Sequence, residues 1–180
     1  MLPHVWNLRS RRAFRQIAAA FAAGCTRAGF RLIHFSIQGN HLHLLHLIVE
    51  AADVNQLARG LQGLAVRIAR GLNRMMGRTG KVFADRYHAH ILRAPAEVAS
   101  AIDYVLGNFT IHALRRGESV SGTAPDEYTS AFATRTGPPL VAPPETWLLR
   151  VGWRRARTQA AHAPAEAQLP PASARDKLVA

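Results

Sequence analysis

The order of hydrophobic patterns along the chain predicts an α+β fold, with one antiparallel sheet and helices packed on one face of it. Three observations carry this. A helical repeat of apolar residues opens the chain. Two strand-like runs follow, joined at Gly39-Asn40, a strong hairpin turn signal. Two more helical repeats then appear with only short strand material between them.

Ser10 is placed to cap the first helix. The spacing of Phe14, Ile17, Ala18 and Phe21 carries that helix to about Ala28, and Gly29 ends it. From Arg31 to Gln38, Leu32, His34 and Ser36 alternate with Ile33, Phe35 and Ile37, which is the period of a strand. A second strand runs from His41 to about Val49. Asp53 caps a long helix to about Met76, striped by Leu57, Leu61, Leu64, Ile68 and Leu72. Val82-Phe83 and His88 to Leu92 read as short strands. Ala94-Pro95 opens a third helix through Leu106, extending at most to Leu114, since proline suits a first turn. A ferredoxin-like unit needs one more strand before the first helix. Only residues 1 to 8 are available and Pro3 weakens them, so that strand is expected to be missing or truncated.

Three zones follow from this. Residues 1–117 form the folded domain. Residues 118–155 are a loop-rich extension, since Ser119 to Pro144 is rich in Ser, Thr, Gly and Pro. Within it, Glu145 to Arg155 is an ordered island expected to dock by Trp147 and Trp153. From Ala156 to Ala180 the Ala/Pro-rich composition predicts a disordered tail.

A hydrophobic content of 48% is enough for a real core. No apolar run reaches the roughly 18 residues of a membrane span, and the start has no signal-peptide apolar region. A cytoplasmic protein with no membrane partner is expected. Cys25 is the only cysteine, which excludes an internal disulfide, and its apolar helical setting reads as a buried thiol. There are 23 Lys+Arg against 11 Asp+Glu, a formal net charge of +12, and Lys occurs only at Lys81 and Lys177. A GC-rich genome explains Arg over Lys, but not the shortage of acids. Arg forks suit bidentate phosphate contacts, so a polyanion, by default nucleic acid, is the expected partner. Arg59, Arg67, Arg70 and Arg74 lie largely off the Leu stripe of the long helix and are the first candidates to meet it, with Arg86, Arg115 and Arg116 behind them.

His41 and His43 stand two apart on a strand, so both imidazoles project from one face and make half of a divalent-metal site. A pair of ordinary polar residues on a solvated face is the plain alternative. His88-Ala89-His90 repeats the spacing without an Asn-containing turn before it, and reads as structural or as a DNA contact. His34 and His46 read as structural. No HExxH or paired CxxC supports a zinc hydrolase.

The run Asn40-His41-Leu42-His43 before an apolar strand resembles the HUH single-tyrosine transposases, in particular the REP-associated tyrosine transposases and insertion-sequence transposase-like proteins. Gly80 to Tyr87 resembles that family's segment before its last strand, and Ala101 to Asn108 its tyrosine helix. The resemblance covers roughly residues 5 to 116 and weakens through Trp153. It implies that residues 1–117 are a catalytic domain whose Tyr104 attacks a single-stranded or hairpin DNA phosphate, forming a 5′-phosphotyrosine. It implies that His41, His43 and Asn108 hold Mg²⁺ or Mn²⁺. Tyr87 and Tyr128 are rival tyrosines. A homodimer is compatible with the sequence. The chain departs from the family in three places, and the first two favour an alternative, a catalytically inactive DNA-binding remnant. The first strand is expected to be missing or truncated, the strand after His43 looks some three residues longer than in relatives, and Gly107 weakens the tyrosine helix by about 1 kcal/mol relative to Ala.

Overall fold

The computed structural model describes residues 7–38, 45–84, 86–115, 117, 125–133 and 138–162. Ser10 caps helix α1 (Arg11–Ala22), its hydroxyl accepting from the Ala13 N–H at 3.2 Å. The helix stops well short of Ala28. Thr26-Arg27 (β1) instead folds back on the start of β2 (Phe30–Ile37), with Arg27 opposite Phe30. Gly29, expected as the helix stop, is the turn residue of this hairpin at φ 71°, a conformation that costs glycine little.

β2 pairs antiparallel with β3 (Leu45–Ala51), giving the sheet order β1-β2-β3. The register slips between Leu32, opposite Val49, and His34, opposite Ile48, so Ile33 is a bulge residue. The slip breaks the simple alternation expected of this strand. Phe30 and Leu32 join Phe35 and Ile37 on one face, with Leu45, Leu47 and Val49 beside them. Ile33 and Ile48 face the other way. All β2 residues except Arg31 and His34 are buried, as expected of a strand covered on both sides.

The helices therefore lie on both faces of the sheet, not on one. α1 and α2 (Val54–Met76) cover the first face, burying Ile17, Phe21, Leu64, Ile68 and Leu72 against β2. Asp53 caps α2 by accepting from Gln56 N–H at 2.8 Å. Its other end closes as a Schellman motif, with Gly77 left-handed and Arg78 N–H bonded to the Asn73 carbonyl at 2.9 Å. α3 (Pro95–Arg115) covers the second face through Val98, Ala101, Ile102 and Val105. Glu97 ties down its start, its carboxylate accepting from the N–H groups of Arg93 at 2.7 Å and Ala94 at 3.0 Å. These two bonds hold the carboxyl below its ordinary pKa.

The short strands expected at Val82-Phe83 and His88 to Leu92 do not form. Val82 plugs the first core and residues 86–91 run exposed without strand pairing. The described residues of the extension after residue 117 are more ordered than its composition implies. The Tyr128 carbonyl accepts from Ile37 N–H, Thr129 bridges to Ser36, and Ala142 N–H bonds the Leu32 carbonyl at 2.7 Å. Between these lies the short helix α4 (Ser130–Ala133). A π-helical turn over Leu148–Gly152 then leads into α5 (Trp153–His162), so residues 156–162 are helical and not tail; residues 163–180 lie outside the described residues. Of the two tryptophans expected to dock, Trp153 joins the second core and Trp147 stays 53% exposed. Cys25 is buried and free.

Gly60 marks the closest approach of α2 to the sheet. A Cβ there would stand 2.1 Å from the Phe30 ring. Gly60→Ala gains about 1 kcal/mol of helix propensity and should still lose stability, by about 2 kcal/mol net, because the buried ring has no room to yield. A denaturant midpoint equal to or above the parent's would show that the core can repack.

Candidate functional site

β3 and α3 meet at Tyr104. Because His46 pairs with Ser36, it faces α3, and it is 3% exposed. The half-buried Tyr104 ring meets it edge-on, with centroids 5.3 Å apart and planes at 79°. Asn108 follows one turn later on the same helix face, though its side chain lies outside the described residues. His41 and His43, with the Gly39-Asn40 turn, also lie outside them. Among the described residues no three His, Cys, Asp or Glu side chains gather as a metal site.

The other histidines sort clearly. His88 and His90 are exposed and belong to no strand, which removes the shared strand face expected of them. His34 Nδ1 lies 3.1 Å from Ser130 Oγ, and burial lowers its pKa below the ordinary histidine value. Both rival tyrosines are also placed. Tyr87 is 46% exposed on the open 86–91 segment. Tyr128, expected on a loop too loose to fix it, is buried edge-on against Phe14 at 5.2 Å, and burial raises its hydroxyl pKa.

Arg59, Arg67, Arg70 and Arg74 are all exposed. At about 100° per residue they fall within an arc of roughly 80°, opposite the Leu stripe. The ion pairs Arg9–Asp126, Arg31–Glu145 and Arg157–Asp103 involve none of them. This row sits outside α2, on the opposite side of the sheet from Tyr104. Arg86 is exposed; Arg116 and the Arg115 side chain lie outside the described residues.

Sequence reasoning passed over the cations that share the face of Tyr104. They are Arg150, Arg154, Arg155 and Arg157, on the π-helical turn and α5. Arg157 pairs with Asp103, the neighbour of Tyr104, and so fastens α5 to α3. The run Arg150 to Arg157 contains no acid, a signal available from the sequence but hidden by its nearness to the Ala/Pro-rich tail. Glu50 is the other residue passed over. Its carboxylate accepts from the Glu145 and Thr146 N–H groups at 2.8 Å and from the Thr146 hydroxyl at 2.6 Å, seating the start of the π-helical turn on β3.

Comparison of the chain with protein-family models, curated proteins and solved structures finds no match. No helix among the described residues is long and apolar enough to cross a membrane.

Proposed function

We propose that the chain is a single-tyrosine strand transferase acting on single-stranded or hairpin DNA, as its resemblance to the HUH transposases implies. The observation that supports this best is the packing of Tyr104 on His46, which sets the tyrosine helix α3 against strand β3. The tyrosine helix and the histidine-bearing strand, far apart in sequence, are neighbours in the fold. In the reaction, Tyr104 Oη attacks phosphorus and a P–Oη bond forms. The bond to the 3′ oxygen breaks, and that oxygen leaves as a 3′-OH carrying a proton in place of the one lost by the phenol. A 3′-OH from the joining strand later reverses the step and frees the tyrosine. No base is needed to activate water, because the nucleophile belongs to the protein.

The imidazoles of His41 and His43 with the Asn108 amide oxygen would make a donor set that suits Mn²⁺ or Mg²⁺. Bound there, the ion would neutralise charge on the scissile phosphate. The exposed arginines of α5, on the sheet face of Tyr104, would hold the flanking strand. A second reading, an inactive DNA-binding remnant, is favoured by the edge-on packing of Tyr104, which gives that ring a structural use of its own.

Incubation of the purified chain with a labelled hairpin oligonucleotide and Mg²⁺ or Mn²⁺ should yield a covalent protein–DNA adduct that resists denaturing gels and is lost with EDTA. His41→Ala and His43→Ala should each remove it, while His88→Ala and His90→Ala should leave it. An adduct that needs His88 and His90 but neither His41 nor His43 would overturn the metal assignment.

A further inference from the structure

A cleft of about 290 Å³ opens on the second face of the sheet, between β2 and α5. Its walls include Ile33, His34, Val141, Pro144, Trp153 and Arg154. Much of this lining is apolar, yet Arg154 stands in it, and Arg150 and Arg155 lie close by on the same turn and helix. Arg150, Arg154 and Arg155 are exposed there, and the described ion pairs do not involve them. Arg154 and Arg157 guanidinium groups lie 5.4 Å and 5.2 Å from the Trp153 ring centroid, and its indole N–H is bonded to the Leu149 carbonyl at 3.1 Å. The indole is therefore fixed in orientation before any ligand arrives. With His34 Nδ1 held by Ser130, its Nε2 is left for a second hydrogen bond.

The backbone beneath the cleft is also unusual. Leu148–Gly152 is π-helical, a form that recurs at functional sites. Its wide turn brings Trp147 over Gly152, where a Cβ would stand 2.7 Å from the indole. A glycine is thus required to seat a tryptophan that stays largely exposed, and packing alone does not call for that exposure.

We propose that this cleft is a subsite for one unpaired nucleotide of single-stranded DNA, its base lying against Trp153 and its phosphates on Arg150, Arg154 and Arg155. The chemistry fits each part of the lining. A base offers a flat apolar face to the indole and polar edges to His34, while its backbone offers anions to the exposed arginines. The subsite deepens the reading of the chain as a single-strand DNA transferase and rests on it for the class of ligand. It places a recognition element in the extension beyond residue 117, on the same sheet face as Tyr104.

The test is binding of the full chain to a short oligothymidylate, read by polarisation of a dye on the DNA and by tryptophan fluorescence. Trp153→Leu should weaken binding about tenfold, the typical value of one base stacked on an aromatic ring. The loss should disappear when the oligonucleotide is abasic, and should not occur on a duplex of equal length. Arg154→Ala, on an exposed residue, should lower the slope of log K against log salt by about 0.7. It also tests the subsite if Trp153→Leu fails to fold. Parent-like affinity in a folded Trp153→Leu variant, an unchanged slope in Arg154→Ala, or equal losses on duplex and single strand would each overturn the subsite. Tighter binding to oligouridylate with the same Trp153 dependence would overturn the assignment to DNA. Trp153-dependent binding without any Tyr104 adduct would support the subsite while removing the transferase. Absence of single-strand binding by the parent would remove both.

Discussion

Tyr104→Phe should abolish every trace of covalent protein–DNA adduct while changing affinity for a single-stranded hairpin by no more than a few fold. The substitution removes one oxygen and keeps the ring that leans on His46. Thermal stability should therefore stay close to the parent's, since the edge-on contact and the burial of α3 against Ile33 and Ile48 remain. The parent and the variant thus differ in chemistry and not in folding, which makes the comparison clean. Tyr87→Phe and Tyr128→Phe serve as controls. Tyr87 is exposed on the 86–91 segment and Tyr128 is locked against Phe14, so neither change should alter adduct yield. Adduct from the Tyr104→Phe variant would remove Tyr104 as the nucleophile, and loss confined to Tyr87→Phe would move the role there. Parent protein that binds with the expected salt dependence but forms no adduct on any hairpin would establish the remnant.

Most of the helical fold was readable from local signals. Ser10, Asp53 and Pro95 each act within a few residues of their own position, and each begins a helix where expected. What escaped depends on contacts distant in sequence. The early end of α1 follows from the pairing of Thr26 with Arg31, which no periodicity within the helix reveals. The bulge at Ile33 requires the register against β3, since Leu32 and His34 look like ordinary alternating positions until Val49 and Ile48 are set opposite them. That bulge turns Ile33 toward α3, the side to which the unbroken alternation of β3 also turns Ile48 and His46, the latter against Tyr104. The covering of both faces had a clue in the sequence. Phe30 to Ile37 is too apolar for a half-solvated strand, but its His34 and Ser36 disguised it as an alternating one. The α5 arginines were masked in another way, by composition, because the Ala- and Pro-rich stretch that follows drew the boundary too early.

Arg9→Ala should be the most destabilising single change in the described residues outside the two cores, at about 3–5 kcal/mol. Arg9 makes a fork on Asp126, donating from Nη1 at 2.8 Å and Nη2 at 2.7 Å, and its Nη1 also reaches the Ile37 carbonyl at 2.9 Å. Its guanidinium lies 3.7 Å from the Phe109 ring centroid and 4.4 Å from that of Tyr128. The two side chains are only 13% and 7% exposed, so solvent weakens the pair little. One cation thereby joins the entry to α1, the end of β2, the second half of α3 and the segment that carries Tyr128. Truncation leaves the Asp126 carboxylate buried, with the Tyr128 N–H at 3.2 Å as its remaining described donor. At roughly 3 °C per kcal/mol for a chain of this size, the melting point should fall by about 10 °C or more. The double variant Arg9→Ala/Asp126→Ala should recover part of the loss, because the orphaned charge is gone; a coupling of about 2 kcal/mol or more is expected between neighbours of this kind. Strictly additive losses in that cycle would reduce Arg9 to an apolar spacer between two aromatic rings. Recovery would instead identify the charge pair as the link through which the extension after residue 117 holds the tyrosine helix against the sheet.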